Sequence, residues 1–292
     1  EIFHAHKLLR NVPLSLTLGP RVAPGDQGGG GGYQIVVPYL NDQRSFQPSA
    51  IRSRPKEWWT RPRKYSLAYF FGSQNRNMYG TSARIYRTYF LEEVQRNWNA
   101  TSGEIGGLPY VIQNTGEVKS KNATARGGQF FSQMYGESVF CPTLPGDSPS
   151  QKRFFDAIVM GCIPVVLAFD TSKSSASVAG GFASNTSWHS PGGYPMGDVY
   201  PWAKGSNGTY PEEEIDYRLF VVEVHGGVGN VKPAVEALME NPREIRRRQL
   251  MLRKYAPYFC YGMGGDSHSY RDAFSKMMES VRFYLSSISS ET

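Results

Sequence analysis

The sequence predicts an α/β domain built on a parallel sheet, and three observations predict it. Apolar runs of strand length at Tyr33–Tyr39, Ser66–Gly72, Val139–Cys141, Ile163–Phe169 and Ile215–Val224 alternate with stretches of helical periodicity. The run from Ile163 to Phe169 is almost continuously apolar, the pattern of a strand covered on both faces. Ser138–Leu167 places a strand, a turn, a helix and a second strand so close together that a right-handed parallel crossover is the geometry that fits. A chain of 292 residues with 40% hydrophobic content has room for one large or two medium domains and a packed core.

The elements follow in order. His6-Lys7-Leu8-Leu9 reads as the end of a helix, and Leu14–Leu18 alternates like a strand. Gly19–Gly32, with Pro20, Pro24 and the glycine run Gly28–Gly32, reads as a flexible loop; no helix start follows to make it a phosphate cradle. Asn41–Lys64 is a basic connector carrying Trp58 and Trp59, expected as an exposed linker rather than a cleft wall. Thr81–Trp98 is a helix whose Tyr86, Phe90 and Val94 form one stripe. Asn99–Gly128 is polar around a short strand at Tyr110–Ile112, and Phe130–Tyr135 forms a short helix. Thr171–Pro211 is a long Ser-, Gly- and Pro-rich insertion whose Trp188, Tyr194, Tyr200 and Trp202 either anchor it or stack on sugar rings. Val231–Met239 and Pro242–Tyr255 are helices, the second capped by Asn241 with Pro242 at its first position. The basic cluster Arg246–Arg248 reads as a solvated face, and Ser267–Leu285 as a last helix with Phe274, Met277, Met278 and Val281 on its apolar side.

The unit Ser138–Leu167 carries the chemistry. Pro145, Gly146 and Asp147 supply a turn, Ser148 is placed to cap a helix with Pro149 as its first residue, and Gly161 stands where a left-handed C-terminal residue belongs. The first turn of a helix offers unpaired N–H groups and a dipole that favours an anion. Ser150, Lys152 and Arg153 add hydroxyls and charge there, and Asp156 lies on a neighbouring part of the same face. Such a set either holds a nucleotide diphosphate, with Asp156 accepting from sugar hydroxyls, or is an ordinary cap with a solvated basic turn. Arg84, in the first turn of the earlier helix, opposes the dipole unless an anion sits nearby, and Arg76 lies in the loop before it.

The formal charge of +7 suits an anionic partner such as a nucleotide sugar, an acidic glycan or a membrane surface. The basic residues are scattered and no nucleic-acid motif occurs, so nucleic acid is not an expected partner. Three cysteines, Cys141, Cys162 and Cys260, have no metal-ligand spacing, and no Asp-x-Asp motif occurs, so no metal is expected. Cys141 and Cys162 fit a bridge between neighbouring strands or two buried thiols equally well. Sequons at Asn99, Asn122, Asn185 and Asn207 favour a secretory-pathway lumen. No apolar run is long enough to span a membrane; the chain begins at Glu1, and an anchor is expected ahead of it.

The ordered series IVVPY, LAYFFGSQNR, SARIYR, FCPTLPGDSPSQKRFFDAIVMGCIPVV, IDYRLFVVEV and DAF resembles the exostosin-like glycosyltransferases, glycosyltransferase family 47, across about residues 33 to 275. The GDSPSQKRFFDAI and GCIPV pieces resemble the plant-type branch that builds xyloglucan and other wall polysaccharides. The resemblance implies a GT-B architecture of two Rossmann-like domains facing a cleft. Residues 1–64 would be the remnant of a largely missing N-terminal, acceptor-side domain with its linker. Residues 65–230 would be the nucleotide-sugar domain, with an insertion at about 171–211, and residues 231–292 the C-terminal helices. Carried over residue by residue, Gly72, Arg76, Arg84, Ser150, Arg153 and Asp156 become the donor-binding set.

The expected activity is inverting transfer of a sugar from a UDP-sugar, a co-substrate rather than a cofactor, to a polysaccharide or glycoprotein glycan. An acceptor hydroxyl attacks the anomeric carbon, a base takes its proton, and cationic groups stabilise the departing UDP. No residue is assigned as the base; His189 and Asp147 lie near the expected cleft and read as structural groups or donor contacts. The full-length protein would be a type II membrane protein of the Golgi lumen. The alternative is a non-catalytic nucleotide- or glycan-binding module derived from such an enzyme, and with the N-terminal domain short, the chain as given would bind donor without full activity.

Overall fold

The computed structural model describes residues 14–17, 33–38, 59, 61–71, 81–98, 103–114, 127–144, 152–167, 200–203, 215–261 and 272–289. Strands β1 (Leu14–Thr17) and β2 (Tyr33–Val36) pair in parallel, with Leu14 opposite Tyr33. The main body is a six-stranded sheet. Its strands are β3 (Tyr65–Phe71), β4 (Glu104–Ile105), β5 (Leu108–Asn114), β6 (Ser138–Pro142), β7 (Ile163–Leu167) and β8 (Val222–Val224). The spatial order is β4-β5-β3-β6-β7-β8, all parallel except the β4–β5 hairpin. This is the Rossmann-like α/β arrangement that the alternating pattern predicts.

Helices α1 (Thr81–Asn97), α2 (Gly127–Gly136) and α3 (Lys152–Met160) make the crossovers, and α4 (Val231–Met239), α5 (Pro242–Tyr255) and α6 (Ala273–Ser289) follow the sheet. Chain direction reverses at β3. The β3–α1–β5 connection runs one way, and the β5–α2–β6 connection crosses back over β3, so α1 and α2 cover opposite faces. The side chains of β3 show both faces. Tyr69 meets Phe90 of α1 edge-on at 5.0 Å, while Phe70 meets Phe131 and Tyr135 of α2 at 4.9 and 5.7 Å. Tyr69, Phe70, Phe90 and Tyr135 are buried and Phe131 partly so, and a fully buried ring of this size contributes about 1.5–3 kcal/mol.

The β6–α3–β7 unit forms as its residues dictate. All five residues of β7 are buried, and α3 buries Phe154, Phe155, Ala157, Ile158, Val159 and Met160. Gly161 takes φ of 72°, its N–H donates to Ile158 at 3.0 Å, and the Cys162 N–H reaches back to Ala157 at 3.0 Å. That double closure is a Schellman motif. The expected cap at Ser148–Pro149 lies outside the described residues.

Several sequence expectations change. A hairpin turn at Gly106-Gly107, with φ of 58° and 76°, adds β4, which the polar composition hid. Ile215–Val224 is not one strand. Asp216 caps a 3-10 turn at Tyr217–Leu219 by accepting from the Arg218 N–H, which leaves only Val222–Val224 for β8. Trp59 and Arg63 are buried, not part of an exposed linker, while Trp58 lies outside the described residues. Tyr200 and Trp202 are core residues at 0% and 1% exposure, with Tyr200 stacked on Phe154 at 4.4 Å, so neither presents a ring to a sugar. Trp188, His189 and Tyr194 lie outside the described residues, as do His6–Leu9 and the four sequon asparagines. Arg248 is not solvated. It pairs with Glu244 at 2.8 Å and donates to the Val221 carbonyl at 2.6 Å.

On α6 the packed face is Ala273, Lys276 and Ser280, and Phe274 and Met278 stand outward. Lys276 is tolerated inside because its ammonium reaches Glu279 at 3.3 Å and lies over the Tyr258 ring at 5.3 Å. Helix α6 returns to lie against β2, and the Tyr261 hydroxyl donates to the Pro38 carbonyl at 2.9 Å, so the C-terminal end is tied to the first parallel pair. Among the described residues no helix is long and apolar enough to cross a membrane.

Candidate functional site

In chain order the five parallel strands stand second-first-third-fourth-fifth across the sheet. In a doubly wound sheet the crevice for a ligand opens at the carboxyl ends of the strands where this order reverses. Here that point lies between β3 and β6, which pair at Tyr65–Ser138 and Leu67–Phe140. The connections leaving their carboxyl ends lead into α1 and α3. Of the sequence-predicted residues, Arg84 stands on α1 and Arg153 and Asp156 on α3, the helices that follow these two neighbouring strands.

Gly72, Arg76 and Ser150, with Asp147 and His189, lie outside the described residues. Arg84 sits in the first turn of α1, where its side chain is outside the description. Arg153 and Asp156 are described on α3. Arg153 is half-buried in a first turn that contains no acidic residue, and it makes no ion pair or hydrogen bond among the described residues. A cation there opposes the helix dipole by about 0.3–1 kcal/mol and gains if an anion joins it. The Asp156 carboxylate accepts from Lys152 Nζ at 3.0 and 2.8 Å. The pair spans one helical turn, with Asp156 the more buried partner, and pairs of this kind are worth about 0.3–0.5 kcal/mol. Asp156 is thus held on the face next to Arg153, with Lys152 as its partner.

Two buried tyrosines and an arginine that the sequence did not single out are electrostatically linked to these groups. The Tyr69 phenol is pushed up to about 12 by burial, with the charges of Arg87 and Arg153 pulling against that shift. Burial pushes the Tyr135 phenol higher still; Arg153 opposes this, while Asp156 and Tyr69 add to it. Arg87 stands on α1 one turn beyond Arg84. That three-residue spacing was the readable signal for it, whereas Tyr69 was hidden in a strand that reads as wholly apolar. The assembly is a cationic edge with donors and one carboxylate acceptor, suited chemically to an anion attached to a hydroxylated group.

The neutral phenols set an alkaline limit. Burial raises Tyr69, Tyr135 and Tyr200 above the ordinary value of 10.0. A phenol raised on folding contributes stability that is fully present below its unfolded value and lost as pH rises through the folded one. Stability is therefore expected to fall progressively from about pH 10 upward, with tyrosinate absorbance appearing together with loss of helical circular dichroism. Absorbance that titrates fully near pH 10 in the folded protein would contradict the burial of these rings.

The base of the unit is locked. Cys141 and Cys162 form a disulfide with Cα atoms 5.8 Å apart, which resolves the two alternatives left open by the sequence. It joins the end of β6 to the start of β7 and closes the segment that carries α3. Arg63 donates to the carbonyls of Gly136, at the end of α2, and of Gly161, just beyond α3, the latter at 3.1 Å.

Comparison with known proteins agrees with this geometry. The exostosin GT47 domain matches residues 24–225, which include β2 to β8 and the whole candidate site. The probable xyloglucan galactosyltransferase GT13 of Arabidopsis thaliana is 25% identical over 160 residues, covering 52% of this chain and 27% of its own length. The xyloglucan-specific galacturonosyltransferase 1 of Arabidopsis thaliana is 28% identical over 155 residues, covering 51% of this chain and 18% of its own length. The matches thus take in less than a third of either relative. With its Rossmann-like sheet, its cationic switch point and a domain match over more than half its length, the chain belongs to the exostosin GT47 family of glycosyltransferases and resembles its plant xyloglucan transferase-like branch.

Proposed function

We propose that this chain carries the donor-binding half of an inverting GT-B glycosyltransferase, which moves a hexosyl group from a UDP-sugar to a cell-wall polysaccharide of xyloglucan type. The observation that carries the reading is Arg153, placed at the start of α3 beside the switch point without a carboxylate partner among the described residues. In this reading Arg76, Arg84 and Arg153, with the first N–H groups of α3, hold the diphosphate and neutralise the charge that develops as UDP departs. Gly72 lets the backbone approach the phosphates, Ser150 donates to them, and Asp156 turns from Lys152 to the ribose hydroxyls. An acceptor hydroxyl attacks the anomeric carbon from the opposite face as the bond to UDP breaks, its proton passing to a base.

Residues 65–230 form the nucleotide-sugar domain in this scheme, with β1 and β2 belonging to the acceptor-side domain and residues 231–292 to the C-terminal helices. No metal is assigned, since guanidinium charge performs the neutralisation. The Cys141–Cys162 bridge, of a kind that persists in oxidising compartments, supports a Golgi-lumen setting with a membrane anchor elsewhere in the full-length protein.

Calorimetry with UDP tests the reading. The wild-type chain should bind UDP, and Arg153→Ala should weaken binding at least tenfold, about 1.4 kcal/mol, with unchanged circular dichroism. Unchanged affinity in the variant would remove Arg153 from the donor site. UDP binding without turnover of any UDP-sugar would favour a binding module derived from the enzyme.

A further inference from the structure

Strand β3 carries into its core one hydroxyl that has no hydrogen-bond partner among the described residues. Tyr69 is 1% exposed, and its hydroxyl oxygen is buried without a hydrogen-bond partner. The ring is held firmly, edge-on to Phe90 at 5.0 Å and stacked with Phe71 at 5.9 Å, so the hydroxyl is fixed in place. A phenylalanine would fill the same space without burying an unpaired polar group, and such a group destabilises the empty protein.

The surroundings say what it lacks. The charges of Arg87, on α1, and Arg153, on α3, both reach this hydroxyl. Helices α1 and α3 follow β3 and β6, the two strands on either side of the switch point. Both guanidiniums can only donate, and a neutral phenol set among them donates best to a negatively charged oxygen. A phenol hydroxyl without a partner, set in the field of two guanidinium charges, suits an acceptor with anionic oxygens. We propose that Tyr69 is a binding residue for the donor, giving its hydroxyl hydrogen to a phosphate oxygen of the nucleoside diphosphate beside Arg87 and Arg153. This rests on the nucleotide-sugar reading above and deepens it: the phosphates, rather than the base or ribose, are what the floor of the crevice recognises.

The test is Tyr69→Phe in the full chain, with UDP, inorganic pyrophosphate and uridine as separate calorimetric probes. The melting temperature of the ligand-free variant should equal or exceed that of the wild type, because no bond within the protein is lost. Affinity for UDP and for pyrophosphate should fall about tenfold, in the range of a hydrogen bond to a charged group, while any uridine affinity stays the same. Wild-type affinity for UDP in the variant would overturn the assignment, as would a clear drop in its melting temperature, which would mark the hydroxyl as structural. Failure of the wild-type chain to bind either UDP or pyrophosphate would overturn the nucleotide-sugar reading itself and this inference with it.

Discussion

Arg63→Met is expected to lower the unfolding free energy by about 4 kcal/mol, in the range for breaking up a buried, hydrogen-bonded charge. The guanidinium of Arg63 is buried and donates to the carbonyls of Gly136, of Trp59 at 3.0 Å and of Gly161 at 3.1 Å. Two of these carbonyls end helices α2 and α3, where the backbone has no further donor of its own. Burial, with the charge of Arg61 close by, pushes the pKa of Arg63 down to about 9, the mark of a cation drawn into a poorly solvated site. Methionine keeps the packing volume and removes every donor. The Gly136 carbonyl keeps a bond from Arg61 at 3.1 Å, while those of Trp59 and Gly161 lose the Arg63 donor; each abandoned acceptor costs about 1–3 kcal/mol, part of which entering water would recover. Urea titration should show a lower midpoint with an unchanged slope. A loss below about 1 kcal/mol would show that water already serves these carbonyls. Lysine at this position should not restore stability, since a point charge cannot reproduce the planar fork.

Replacing Cys141 and Cys162 together by alanine is expected to cost about 3 kcal/mol, the loop-entropy value for a bridge of this span. The two residues are separated by 21 positions, and the closed loop contains the whole of α3. Unlinking it frees the unfolded chain far more than it disturbs the sheet, because β6 and β7 remain paired through Phe140–Ile163 and its neighbours. The melting temperature of the double variant should match that of the reduced wild type. Identical melting of oxidised and reduced wild type would sink the prediction. Cys260 does not complicate the comparison: it is buried, its Sγ lies 3.5 Å from the Ala256 carbonyl, and it has no bridge.

What could be read locally was read from residues whose environment leaves a signature in the chain itself. Strand β7 is covered on both faces, so nothing polar interrupts Ile163–Leu167. Gly161 is needed because the end of α3 turns through a left-handed residue, and an added Cβ would also meet the Trp59 ring at 2.6 Å. Asn241-Pro242 starts α5 by a side-chain bond to the Glu244 N–H that any sequence with those residues can make.

Long, two-natured side chains carry little local information on burial. Arg63 and Lys276 look solvated in a sequence, yet each is buried because carbonyls, a carboxylate or a ring happen to meet it in the fold. The outward turn of Phe274 and Met278 is the reverse case. Which face of α6 is covered depends on where the helix lies against β2 and its neighbours, not on where its apolar residues are.

The same division runs through the candidate site. By itself the sequence determined that a strand ending near Cys141, a helix carrying Arg153 and Asp156 and a second buried strand follow one another, because helical periodicity and a continuous apolar run are local patterns. It also determined that Asp156 follows on the adjoining face. Tertiary structure alone decided that β3 and β6 stand side by side, and that the charges of Arg87 on α1 and Arg153 on α3 both act on the buried Tyr69 hydroxyl. Strand order is set by pairing between residues some seventy positions apart, such as Leu67 with Phe140, and no local stretch of sequence encodes it.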